Sequence, residues 1–277
     1  MILFDNHLHL RRDGKYLEAV KDFKTSGGTH FVLCQYPMTN LVIAEKSYMS
    51  CYEETLSMAS QIRSELGVGV FVTVGPYPVD YLKFKDVLGK ENAIALMKRG
   101  MDEAAKLCLE EKCIGIGEIG RPHFPVEEDI IKDSNEILKY GMQKAVDVDC
   151  PVILHTESTT PLQCKELVQM GKEVGLKPEK IVKHFSPALI EKEENFGLMP
   201  SVLASKKNII ESLKKGSRFM METDYIDDPK RPGAVLGPKT IPKLTKKLIE
   251  NGSMTESQMY EIHVNNPQKT YKINLEE

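Results

Sequence analysis

A (β/α)₈ TIM barrel is the fold class this sequence predicts, and three observations carry the prediction. Eight short apolar runs alternate with helical patterns along the chain, as parallel βαβ units require. The 277 residues match the roughly 250 that such a barrel needs. Run after run ends in a histidine or a carboxylate, and the C-terminal strand ends are the face on which these barrels build active sites. A doubly wound open sheet is the alternative, and the placement of the polar residues favours the barrel. No linker, composition break or fixed-period repeat divides the chain, so residues 1–277 are expected to form a single domain.

The elements follow in order. The first strand opens on Ile2-Leu3-Phe4 and continues through Asp5-Asn6-His7-Leu8-His9-Leu10. Leu17, Val20 and Phe23 mark a short helix over 16–23, ended by Gly27-Gly28. Residues 29–34 form the second strand, followed by Gln35-Tyr36-Pro37. A long helix over 45–66 is closed by Gly67, and 68–74 reads as a buried third strand. Ile94, Met97, Met101, Ala104 and Cys108 share one face of a helix over 92–111, and 113–118 is the fourth strand. A helix over 129–146 precedes the fifth strand, 151–155. A helix over 162–174 leads to the sixth strand, 180–184, and a short helix near Ala188 to a weak seventh over 198–204. A helix over 206–215, an eighth strand over 219–224 and two helices, 239–250 and 255–263, complete the chain.

Composition narrows the class. The hydrophobic share of 41% and charged share of 28% are those of a soluble globular chain with an ample core. A net charge of −3 gives no global attraction to nucleic acid or anionic membrane, so polyanion binding needs a local patch. No apolar run approaches the roughly 18 residues of a membrane span, and Asp5 and His7 interrupt any signal-like start. The six cysteines are scattered without a C-x-x-C pair, which suits reduced core thiols in the cytosol.

His7 and His9 stand two residues apart in a strand and therefore point to the same face, with Leu8 and Leu10 on the other. Paired imidazoles at a strand end suit a divalent cation. The later strands add Glu118, His155, His184 and Asp224 at the same end, and six metal-compatible groups there are hard to obtain by chance. Gly115-x-Gly117-x-x-Gly120 formally spells a dinucleotide fingerprint, but Glu118 inside the loop would repel a pyrophosphate, and Arg121-Pro122 follows where a helix should open. His30 sits at a strand start, far from the chemistry, and His263 reads as a helix end. Glu222 shares a face with Asp224, where it could steady a ligand.

Asp5-Asn6-His7-Leu8-His9-Leu10, Ile116-Gly117-Glu118-Ile119-Gly120, Leu154-His155, Lys183-His184-Phe185-Ser186 and Glu222-Thr223-Asp224 together resemble the TatD family of metal-dependent hydrolases, within the amidohydrolase superfamily. The segments run in family order over the whole chain. The resemblance implies a barrel of the metallo-dependent hydrolase type and two divalent metal ions, zinc, manganese or magnesium. It implies that His7, His9, Glu118 and Asp224 hold one ion, and that Glu118 bridges to a second completed by His155 and His184. Many members are described as DNases. Paired cations can clamp the attacking and leaving oxygens of a displacement, and Asp224 and Glu118 are the catalytic candidates, Asp224 as proton acceptor.

Departures from the family pattern fall on the substrate side. Arg121-Pro122-His123 replaces its usual Leu-Asp pair, and Glu157 stands where an arginine commonly lies, so a phosphodiester is expected to bind less well. Tyr225 follows Asp224 in place of a small residue. Arg121, His123, Glu157, Lys183 and Tyr225 are the candidate substrate contacts. The leading expectation is a cytoplasmic TatD-like hydrolase cleaving phosphodiester bonds as a deoxyribonuclease. The first alternative is an amidohydrolase-type enzyme acting on a small lactone, amide or phosphoester; the second is a non-enzymatic metal-dependent binding protein. The partner is accordingly a small-molecule or nucleic-acid substrate, without a membrane.

Overall fold

In the computed structural model, which describes residues 1–231, 233 and 235–275, every apolar run becomes a parallel strand. The strands are β1 (Phe4–His9), β2 (His30–Cys34), β3 (Gly69–Val74), β4 (Gly115–Gly120), β5 (Val152–His155), β6 (Ile181–Ser186), β7 (Met199–Leu203), β8 (Met220–Glu222) and β9 (Tyr225–Ile226). They hydrogen-bond in the order β8-β7-β6-β5-β4-β3-β2-β1-β9. The eighth strand expected over 219–224 is thus split: β8 pairs with β7, and β9, three residues later, pairs with β1 through Leu8–Tyr225 and His9–Ile226. Between them Asp224 adopts a left-handed φ of 48° and donates its N–H to His7 O at 3.0 Å. This interrupted strand joins the two edges, and the sheet is the expected TIM barrel.

Most helices fall where periodicity placed them, including α1 (Leu17–Thr25), α6 (Glu128–Asp147) and α7 (Pro161–Glu173). The helix expected over 45–66 is broken at Lys46, whose φ is 53°, into α2 (Thr39–Glu45) and α3 (Met49–Leu66). A further short helix, α4 (Asp80–Leu88), precedes α5 (Lys90–Leu109). The short helix near Ala188 is α8 (Lys192–Asn195), and α9 spans Lys206–Lys215. His263 does not end a helix. α10 (Thr240–Glu250) and α11 (Glu256–Tyr260) are followed by a wide helical turn over Glu261–Asn265 that runs on into α12 (Asn266–Tyr271).

Leu8 and Leu10 face the helices, as alternation requires, within the layer between sheet and helices. The barrel interior below the site is filled by Phe4, Val32, Ile153, Val182, Met199 and Met220, and Tyr271 and Leu275 plug it from the C-terminal end of the chain. This apolar plug supports the polar layer above it. No helix among the described residues is long and apolar enough to cross a membrane.

Candidate metal centre

The six expected donors converge at the C-terminal end of the barrel. Three of them sit where the ladder slips: the register shifts between Asp5 and Leu8 around His7, between Gly117 and Ile119 around Glu118, and between Lys183 and Ser186 around His184. Such irregularities bend a strand and re-aim a side chain. The glycines around Glu118 serve the same approach. A Cβ on Gly117 would come within 2.5 Å of Ile153 Cβ, and one on Gly120, whose φ is 147°, within 2.1 Å of His155 O. They let β5 close on β4, which accounts for the apparent dinucleotide fingerprint.

Glu118 is the centre of the cluster. Its Oε1 lies 2.8 Å from His155 Nδ1, 3.4 Å from His184 Nε2 and 3.6 Å from His7 Nε2, while Oε2 lies 3.4 Å from His9 Nε2. His7 Nε2 and His9 Nε2 approach to 3.1 Å, and the His7 and His184 rings stack at 3.9 Å. Asp224 Oδ1 stands 4.0 Å from His7 and His9 and 3.9 Å from His184. Among the described residues, two donor groups meet closely enough to hold a cation: His7, His9 and Asp224, and His7, Glu118 and His184.

Neighbours fix the ring orientations. Cys34 serves both histidines of β1, its carbonyl facing His9 Nδ1 at 3.2 Å and its thiol facing His7 Nδ1 at 3.2 Å, while Thr73 donates to that sulfur. With both Nδ1 atoms so engaged, the two Nε2 lone pairs are left for a ligand. His184 Nδ1 lies 2.9 Å from Glu222 Oε1 without a well-aligned hydrogen bond. Glu222 is itself held by Phe185 N–H and the Ser201 hydroxyl, and Asn6 and Tyr271 extend that network to α12. Asp5 pins the strand break by accepting from both Thr223 N–H and its hydroxyl.

The electrostatics suit a cation. Burial drives His7 and His184 well below the usual imidazole range, so both keep neutral, donating rings. Burial alone would raise Glu118, but the surrounding His155, His7 and His184 hold it well below the carboxylate range. Burial, with Glu222 adding repulsion, pushes Asp224 well up, and burial carries Glu222 to about 8. The ammonium beside them, Lys183, is itself lowered to about 8 by burial. Buried carboxylates interleaved with imidazoles form a donor set that suits a divalent metal.

The substrate-side expectations fare differently. Arg121 and Glu157 face each other in an ion pair of 2.7 Å, and Arg121 also reaches Glu166, so neither lines the cavity over the donors. Lys183 is buried, its ammonium bonded to His184 O, and is out of reach of a substrate. Tyr225 turns its hydroxyl to Asp227 and also stays outside the cavity. His123 reaches the rim, with Nδ1 2.9 Å from His155 Nε2. The cavity itself, of ≈330 Å³, is walled by Tyr36, Pro37, Thr39, Tyr77, Ile226 and Arg231. None of these is among the substrate contacts expected from the sequence, because loop residues carry no periodicity that would bring them together.

Comparison with known proteins agrees with this geometry. The family model described as TatD related DNase matches residues 4–272. An uncharacterised protein of Methanocaldococcus jannaschii is 40% identical over 275 residues, covering 98% of this chain and 96% of its own. Among solved structures, the phosphotriesterase homology protein of Escherichia coli superposes with a TM-score of 0.65 at 15% identity, covering 98% of both chains. A TatD homologue of the same organism gives 0.54 at 15% identity, again over 98% of both chains.

Proposed function

The chain belongs to the TatD related DNase family of metal-dependent hydrolases, and from that premise we propose that it cleaves phosphodiester bonds at a dinuclear metal site. One observation carries the reading: the two oxygens of Glu118 face different histidines, Oε1 towards His155 and Oε2 towards His9. His7, His9, Glu118 and Asp224 would hold one ion, and Glu118, His155 and His184 the other, each zinc, manganese or magnesium. When bound, the cations supply Lewis-acid polarisation of the ester and acidify water towards a pKa of about 7. Asp224 takes the proton that the attacking water loses and returns it to the departing alkoxide as the P–O bond breaks. His7 and His184 stay neutral throughout, and Arg231 at the cavity wall orients the anionic oxygens. The setting we assign is the cytosol, on the strength of six free, buried thiols.

A second reading, hydrolysis of a small neutral ester or lactone, is favoured by the tyrosine, proline and isoleucine in the cavity wall. Metal-loaded protein assayed against single-stranded DNA, bis(p-nitrophenyl) phosphate, p-nitrophenyl acetate and a lactone separates the two. Turnover of the phosphodiesters is expected to dominate. Turnover confined to the acetate or lactone would replace the first reading with the second, and turnover of none would leave a metal-dependent binding protein.

A further inference from the structure

A second cavity, of ≈600 Å³, adjoins the one over the donors, and the two meet at Tyr36, Pro37 and Thr39, which line both. It runs outward between the segment after β1, the segment after β2 and α3. The two chambers are each of the size that small-molecule sites occupy, about 300–1,000 Å³. The floor of the outer one is apolar: Leu10, Cys51 and Met58 are buried there, and Met38 stands 38% exposed at its rim.

The charges around this groove are already matched. Arg11 is bonded to Asp13 at 2.7 and 2.9 Å and lies 3.4 Å from Asp228, and Arg12 is bonded to Glu54 at 2.6 Å. A nucleic-acid strand laid in it would meet Arg11 and Arg12 already held by Asp13 and Glu54. One face of Tyr36 is closed to a stacking base as well, because the Arg11 guanidinium sits over that ring at 4.8 Å. What the groove accepts is an uncharged, apolar group reaching out from the donors past Tyr36.

The geometry points to a substrate with an alkyl or aryl arm: a phosphoester of an apolar alcohol, whose phosphate lies at the donors and whose arm fills the groove. This assignment rests on the phosphoester reading above and names its substrate class. A series of monoalkyl phosphates, methyl, butyl and octyl, measured by calorimetry on manganese-loaded protein, tests it. Each buried methylene contributes up to about fourfold in affinity, so octyl phosphate is expected to bind at least about tenfold more tightly than methyl phosphate. The octyl-to-methyl ratio should collapse towards one both in Met58→Trp, which fills the floor, and in Met38→Glu, which charges the exposed rim and does not depend on repacking the interior.

A flat series in the wild type, a ratio unchanged in both variants, or no phosphate binding would overturn the assignment. Thymidine dinucleotide binding more tightly than octyl phosphate would assign the groove to nucleic acid instead. The series is read by binding, so it separates from the catalytic proposal. A steep series in a protein that turns over no phosphodiester supports the groove and sinks the activity, whereas an active enzyme with a flat series does the reverse.

Discussion

Arg121 Nη2 donates to Glu157 Oε1 across 2.7 Å, tying the segment after β4 to the segment after β5. The carboxylate that replaces a phosphate-facing arginine therefore meets a cation of its own chain. Its charge is neutralised before any substrate arrives. Reversing it by Glu157→Arg sets two guanidiniums against each other and leaves Arg121 with Glu166 and Asn135. The expected outcome is a loss of roughly 2–3 kcal/mol, less than for a fully buried pair because Glu157 is partly wetted, with no gain in DNA cleavage. Urea midpoints and a nuclease assay check this; an unchanged midpoint with faster cleavage would sink it.

Metal content tests the bridge. Glu118→Gln should weaken both sites together, since one carboxylate faces both histidine groups, whereas His184→Ala should mainly empty one. Elemental analysis after dialysis is the measurement. Two full equivalents retained by Glu118→Gln would remove the bridge.

Asp224→Asn keeps an oxygen donor and removes the base. Turnover should fall by about 10²–10⁴-fold, the span of general acid–base catalysis, with a much smaller fall in metal content. Near-normal turnover would move the proton transfer to another residue.

His263 predicts a pH effect on stability away from the site. It is fully buried between Phe4 and Thr245, and burial lowers its pKa to about 4. Unfolded, the ring returns to about 6.5, so between those values the unfolded chain binds more protons and stability falls as pH falls. The loss approaches roughly 3 kcal/mol by pH 4, at about 1.4 kcal/mol per unit. Denaturant titrations between pH 7 and 5 should show a steeper loss in the wild type than in His263→Gln. NMR should find the ring in the folded wild type still neutral at pH 5.5; a ring half-protonated near 6.5 would refute the argument.

The donors were legible because strand ends announce themselves: an apolar run stopping at a histidine or acid needs no partner to be recognised, and the i, i+2 spacing of His7 and His9 survives folding intact. The register slips around His7, Glu118 and His184 were not legible, since a bulge depends on which strand lies alongside. The break of the eighth strand escaped for the same reason: Phe219-Met220-Met221-Glu222-Thr223-Asp224 reads as one run, and only Asp5, from the other end of the chain, captures Thr223 and turns it. The ion pair between two of the expected substrate contacts was not legible either. Arg121 and Glu157 lie 36 positions apart, and their pairing follows from β4 lying beside β5, a tertiary fact.

The seam where β8 gives way to β9 makes the centre a coincidence detector for a finished barrel. β1 and β4 supply His7, His9 and Glu118, β5, β6 and the junction of β8 with β9 supply His155, His184 and Asp224, and each cation-competent triad draws from both halves. Neither half-barrel, made alone or released early from synthesis, owns a complete triad. A cation held by either triad therefore requires that the N-terminal and C-terminal strands have met.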